Sequence, residues 1–272
     1  MSAEIIDLRY GARPGLLGAW LCDELLIDCG PSSCLPALLD GLRGREPRAL
    51  LLTHVHLDHA GAAGALVQRW PELRVYVHPR GAPHLIDPSR LLASTRRVFG
   101  DSLDELLGDI AALPSENVHV LADGERVQQL LCAWTPGHAS HHVAFLDTDS
   151  GVAYAGDLAG VRLAAGIVLP PTPPPDINLA DWRSSLDVLC GWRPSALALA
   201  HFGLVERPAE HIELLREALA RHERWAREGE QEFVRALGAH LRARMDERAA
   251  EDYEFISMAA QSAGGLRRWL GG

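Results

Sequence analysis

The stretch Thr53-His54-Val55-His56-Leu57-Asp58-His59 restricts this chain more than any other. It follows the apolar run Leu50-Leu51-Leu52, which suits a buried strand, so His54 and His56 leave the strand end two residues apart and face the same side. Both imidazoles can then reach one ion. Asp58 and His59 come next, and Ala60 to Trp70 reads as a helix whose small opening residues allow a tight turn beside a second ion. The chain holds only 13 histidines, so this density is not what scattered surface or core imidazoles would give.

Three further donors repeat the form. His138 ends Trp134-Thr135-Pro136-Gly137-His138 just past the apolar run Leu130 to Ala133. Asp157 ends Val152-Ala153-Tyr154-Ala155-Gly156-Asp157, and His201 ends Ala196-Leu197-Ala198-Leu199-Ala200-His201. Four strand ends therefore present donors, enough for two adjacent cations with a water between them. Imidazole nitrogen and carboxylate oxygen suit zinc, iron or manganese, and the absence of thiolate from the set separates it from Cys-rich structural zinc sites.

In these motifs and their order the chain resembles the metallo-β-lactamase superfamily, and within it the glyoxalase II-like hydrolases, over roughly residues 4 to 205. The resemblance implies that His54, His56 and His138 bind the first metal, that Asp58, His59 and His201 bind the second, and that Asp157 bridges them. Histidine rather than glutamate at position 56 favours the hydrolytic members over the flavodiiron branch. Asp28, in Leu26-Ile27-Asp28-Cys29-Gly30, looks like the family's strand-end carboxylate that orients a ligand, and the resemblance gives His142 a similar supporting role. His141 and His142 are consecutive, so on a strand only one of them would face the site.

Two divalent ions, zinc first and iron or manganese as alternatives, imply a bridging hydroxide that attacks a small acyl substrate such as a thioester, lactone or related ester. Asp58 is the expected proton-transfer residue. Two other readings stay open. One is a mononuclear iron enzyme like the persulfide dioxygenases of the same superfamily, using His54, His138 and Asp157; the other is a metal-binding regulatory protein with little turnover.

Composition narrows the partners. A net charge of −10 with no basic run argues against nucleic acid, whose phosphates need a positive surface. No apolar stretch approaches the length of a membrane span, and Met1-Ser2-Ala3-Glu4 has no basic region followed by an apolar one, so a cytoplasmic protein is expected. The five cysteines form no CxxC pair and fit reduced, mostly buried thiols. All 26 basic side chains are arginine. Schiff-base chemistry is thereby excluded, and a substrate carboxylate must be met by arginine, backbone N–H groups or metal.

Short β-like runs at 4–8, 18–22, 25–28, 49–53, 74–78, 118–121, 127–133, 142–146, 152–155 and 196–200 alternate with helical stretches near 33–43, 60–69, 101–112 and 180–190. This fits the α/β, αββα sandwich that the resemblance implies, with residues 1–205 as the metal-binding domain. From 206 to 272, apolar residues at helical spacing, Ile212, Leu215 and Leu219, then Val234, Leu237, Leu241 and Met245, read as two to four helices. That tail packs on the sandwich, covers the mouth of the site, or offers a homodimer surface. Two loops are expected near the pocket. The proline-rich 169–177 segment would be a stiff wall, and 77–84 carries Arg80 and His84, either of which could meet substrate if it is not simply a surface residue.

Overall fold

The computed structural model describes residues 3–100, 103–164 and 166–271. Two six-stranded sheets lie face to face. The first comprises β1 (Glu4–Asp7), β2 (Gly18–Cys22), β3 (Leu25–Ile27), β4 (Ala49–Leu51), β5 (Arg74–Val77) and β6 (Val118–Val120) in that spatial order, antiparallel through β3 and parallel from β3 onward. The second comprises β7 (Arg126–Val127), β8 (Leu130–Trp134), β9 (Val143–Asp147), β10 (Val152–Tyr154), β11 (Ala196–Leu199) and β12 (Gly203–Val205), again in chain order, with β10 and β11 parallel. Helices α1 (Leu35–Leu42), α2 (Leu57–Ala60), α3 (Ala63–Arg69), α4 (Ala82–Ile86), α5 (Ser89–Phe99) and α6 (Leu103–Leu107) accompany the first sheet. Helix α7 (Leu179–Trp192) and the tail, α8 (Pro208–Glu228), α9 (Glu230–Arg242), α10 (Glu247–Ser257) and α11 (Ala259–Gly271), accompany the second.

Strand alternation explains the layering. In β2, Trp20 and Cys22 point between the sheets with Leu51, Phe145 and Tyr154, whereas Ala19 and Leu21 point outward to meet Leu38 of α1 and Leu66 of α3. Both faces are covered, so all five residues of β2 are buried and the strand reads as a continuous apolar run. The outer face of the second sheet carries Leu197 and Leu199 into a core shared with Trp182 of α7 and with Leu215, Phe233 and Leu266 of the tail. The result is the αββα order expected, with four helices in the tail.

Several local expectations are corrected. The helix expected near 101–112 is α6 alone; residues 101 and 102 lie outside the described residues. Gly108 takes φ +72, and the chain then runs irregularly against α3, so close that a Cβ on Gly64 would lie 2.2 Å from the Ala111 carbonyl oxygen. The run 127–133 is a hairpin, turned at Gln128 with φ +53. Helices α4 and α5 and strand β12 were not anticipated. All five cysteines are free thiols, four of them buried. Among the described residues no helix is long and apolar enough to cross a membrane.

Candidate metal centre

The strand ends of both sheets meet at one edge. Val143 N–H donates to the Thr53 carbonyl at 2.7 Å and Gly18 N–H to that of Ala200 at 2.8 Å, which ties the sheets together beside the site. At this edge the seven sequence-predicted donors come together. His54 Nε2 lies 3.1 Å and His138 Nε2 2.9 Å from His56 Nδ1, so three imidazole nitrogens converge. Asp58, His59 and His201 converge beside them, with both His59 Nε2 and His201 Nε2 at 3.7 Å from Asp58 Oδ2.

Asp157 stands between the two groups. Its Oδ2 faces His138 Nε2 at 3.4 Å, while its Oδ1 faces His59 Nε2 at 3.3 Å and His201 Nε2 at 3.5 Å. Each oxygen thus addresses a different triad. Gly156, with φ +45, makes this approach possible, because a Cβ there would lie 2.6 Å from Thr53 Oγ1 and 2.8 Å from His142 Nε2.

The far nitrogen of four imidazoles is fixed by a partner outside the cluster. His54 Nδ1 is 3.0 Å from Thr53 Oγ1, His59 Nδ1 2.9 Å from Asp28 Oδ2, His138 Nδ1 2.9 Å from the Pro171 carbonyl and His201 Nδ1 2.8 Å from the Leu16 carbonyl. Each ring therefore turns Nε2 inward, toward the other donors. Asp28 organises two of them. It accepts from Thr53 N–H at 2.8 Å, from Thr53 Oγ1 at 2.8 Å and from His59, so Thr53 Oγ1 is left to accept from His54. Asp28 does this in a left-handed backbone conformation, φ 57, which is unusual away from glycine.

His142 Nδ1 is 2.8 Å from Thr135 Oγ1 and its Nε2 accepts from Leu158 N–H at 3.3 Å, bracing the turn that carries Asp157. The strand rule misjudges its neighbour. His141 is also buried, accepting from Val55 N–H at 3.4 Å and lining the cavity, because residues 141 and 142 lie in a turn before β9 and do not alternate as they would on a strand. Thr53 and Tyr10 are likewise parts of the site that spacing did not single out. Only the long-range packing of Tyr10 reveals it.

The donor set fits a pair of cations. His59 Nε2 and Asp157 Oδ1 are fully buried without a hydrogen-bond partner among the described residues; their 3.3 Å approach gives charge attraction without hydrogen-bond alignment. Orphaned buried groups of this kind are rare unless something else satisfies them. Burial, together with the neighbouring imidazoles, pushes His54 well below its ordinary value. Burial would also lower His59, yet the carboxylates of Asp157, Asp58 and Asp28 raise it far above the usual histidine range. Asp58 itself is raised by burial but held low, at about 2, by His59 and His201. One half of the site thus keeps neutral imidazoles and the other attracts positive charge.

The centre opens into a cavity of about 320 Å³. Its walls include the proline-rich loop at Pro171 and Pro173–Pro175, the α5 face at Leu91, Ser94 and Thr95, and the tail at Ile256, Ser257, Met258 and Ser262. The tail therefore forms part of the pocket as well as packing on the sandwich. Arg80, exposed, and His84, half-buried, both line this cavity, as does Arg90.

A profile of the metallo-beta-lactamase superfamily matches residues 23–190, and the chain belongs to that superfamily. It is 33% identical over 152 residues to the hydroxyacylglutathione hydrolase of Xylella fastidiosa (strain M12), covering 56% of this chain but only 47% of that enzyme. The crystal structure of the archaeal superfamily protein ST1585 from Sulfolobus tokodaii matches 98% of both chains with a TM-score of 0.69 at 21% identity, which extends the shared fold through the tail. The structure of TTHA1623 in a di-iron-bound form matches 78% of this chain and 90% of that one, with a TM-score of 0.53 at 27% identity.

Proposed function

We propose that this protein is a dinuclear metal-dependent hydrolase acting on a small acyl substrate, a thioester, lactone or related ester. The observation that carries the reading is Asp157, whose two oxygens turn to separate triads of nitrogen and oxygen donors. His54, His56 and His138 would hold one ion, Asp58, His59 and His201 the other, and Asp157 both. Two cations held by these residues would supply an acidified water and polarise a carbonyl oxygen. Zinc is the first expectation from the imidazole-rich set, and the di-iron form of TTHA1623 keeps iron in play.

The chain's own residues do the rest. Asp58 is partly open to the cavity, its side chain 29% exposed, and its carboxylate would take a proton from the attacking water and return it to the leaving group. Asp28, Thr53 and His142 keep the donors from rotating. The apolar and proline-rich walls exclude bulk water and orient the acyl chain, and the volume suits a small molecule.

A single-iron dioxygenase of the same superfamily would use only His54, His138 and Asp157, so the number of ions bound separates the two readings. Metal analysis with a panel of thioesters, lactones, phosphodiesters and β-lactams tests the reading. Two ions per chain with acyl hydrolysis are expected; one iron with oxygen uptake on a persulfide would overturn it. Asp157→Ala should lose metal and turnover together, and a variant keeping both would remove the bridging role.

A further inference from the structure

We propose that Tyr10 is a catalytic residue of this site, its phenolic hydroxyl donating a hydrogen bond to the carbonyl oxygen of the bound acyl group and to the oxyanion formed from it. This rests on the acyl-hydrolase reading above. Tyr10 lines the same cavity as His56, Asp58, Asp157 and His201. Its side chain is buried, and its residue exposure is only 3%. No described residue hydrogen-bonds the hydroxyl, which is not among the buried orphaned atoms, and Tyr10 is a wall of the cavity. A phenol keeps its proton at neutral pH and is a donor there.

The surrounding chain is built to hold that ring. Arg9, Gly11 and Ala12, the residues around it, have φ of 50, 60 and 60, a concentration of left-handed backbone that persists only where neighbouring structure imposes it. Asp7 braces the loop, its Oδ1 accepting from Arg9 N–H at 3.0 Å and its Oδ2 from Gly15 N–H at 2.9 Å. The Tyr10 ring packs on Phe255 of α10 with centroids 5.6 Å apart, and a Cβ on Gly11 would lie 2.8 Å from that same ring. Arg13 completes the clamp, pairing with Asp252 at 3.0 Å while its guanidinium lies 4.9 Å from the Phe255 centroid. The donor is thus fixed before substrate arrives, the condition under which a hydrogen bond to developing negative charge accelerates acyl transfer most. The tail's function at this site is to position Tyr10 through Phe255 and Asp252.

The test uses the full chain loaded with zinc. Tyr10→Phe keeps the ring on Phe255, so metal content stays at the wild-type level and KM nearly so, while kcat on the best acyl substrate falls about 100-fold. Phe255→Ala lowers kcat in the wild type but adds little in the Tyr10→Phe background, a coupling that a merely structural role would not give. Independently of turnover, butylphosphonate, a tetrahedral anion, binds about tenfold more weakly to Tyr10→Phe in calorimetric titration. Wild-type kcat and wild-type phosphonate affinity in Tyr10→Phe would overturn the proposal. If the wild type hydrolyses no acyl compound, the acyl-hydrolase reading fails alone; the phosphonate titration then decides Tyr10, unchanged affinity sinking it and the tenfold loss supporting it.

Discussion

His54, His56, Asp58, His59, His138, Asp157 and His201 were legible because each sits at or just past an apolar run, where period-two spacing fixes direction and the chain leaves the core. Asp28 and His142 were legible only through family resemblance. Thr53 was not, although it links Asp28 to His54, because a hydroxyl next to a histidine has no spacing signature. Asp28→Ala is expected to weaken metal affinity about 10- to 100-fold by freeing both Thr53 and His59, as loss of such orienting groups does elsewhere; competition with a chromogenic chelator measures it. Gly156→Ala carries a different burden. A methyl group 2.6 Å from Thr53 Oγ1, on a left-handed backbone, has to displace the turn bearing Asp157, so metal content should drop although no donor has changed.

Most elements with strong local patterns were read correctly, but the apolar run 127–133 is a hairpin and the amphipathic α5 was missed. The sheet strands and α7 follow their apolar periods, and Asn178 caps α7 by accepting from Ala180 and Asp181 N–H. Helix α5 escaped although its apolar residues gather on one face; its described side chains are all exposed or half-buried because that face borders the cavity and does not enter the core. In the tail, Gly229 separates α8 from α9 and Asp246 caps α10, accepting from Ala249 N–H at 2.8 Å. Between α8 and α9, His222 is buried against Trp225 and Phe233 with neither ring nitrogen hydrogen-bonded among the described residues. Burial, reinforced by Arg221 and His240, lowers it to about 3. The unfolded chain takes up this proton first, so the stability due to neutral His222 is complete above about pH 6.5 and is lost as pH falls toward 3. His222→Phe should remove that contribution. By pH 5 the wild type should lose about 2 kcal/mol more than the variant, relative to each at pH 7.5, in urea unfolding.

For the whole molecule, the tail and the second sheet share one apolar core, with Leu197 and Trp182 packed among Leu215, Phe233 and Leu266. Sequence periodicity shows that a helix has an apolar face but not what will cover it, so the tail's place at the cavity could not be read from its spacing. A shared core implies one cooperative unfolding event. Calorimetry should show a single endotherm, and a separate tail transition would contradict the packing. Chelation should move that endotherm down, since cations that bind the folded chain alone stabilise it by mass action; about 3 kcal/mol is expected where free metal stands 100-fold above its dissociation constant. The loop around Tyr10 and the helix bearing Phe255 lie far apart in sequence, so a ribosome must make both, and all that lies between, before the clamp between them can close. Because Asp157 and His201 stand on the sheet that shares the tail's core, the donors and the wall beside them should become ordered together, and newly made protein is expected to acquire metal and catalytic competence in the same step.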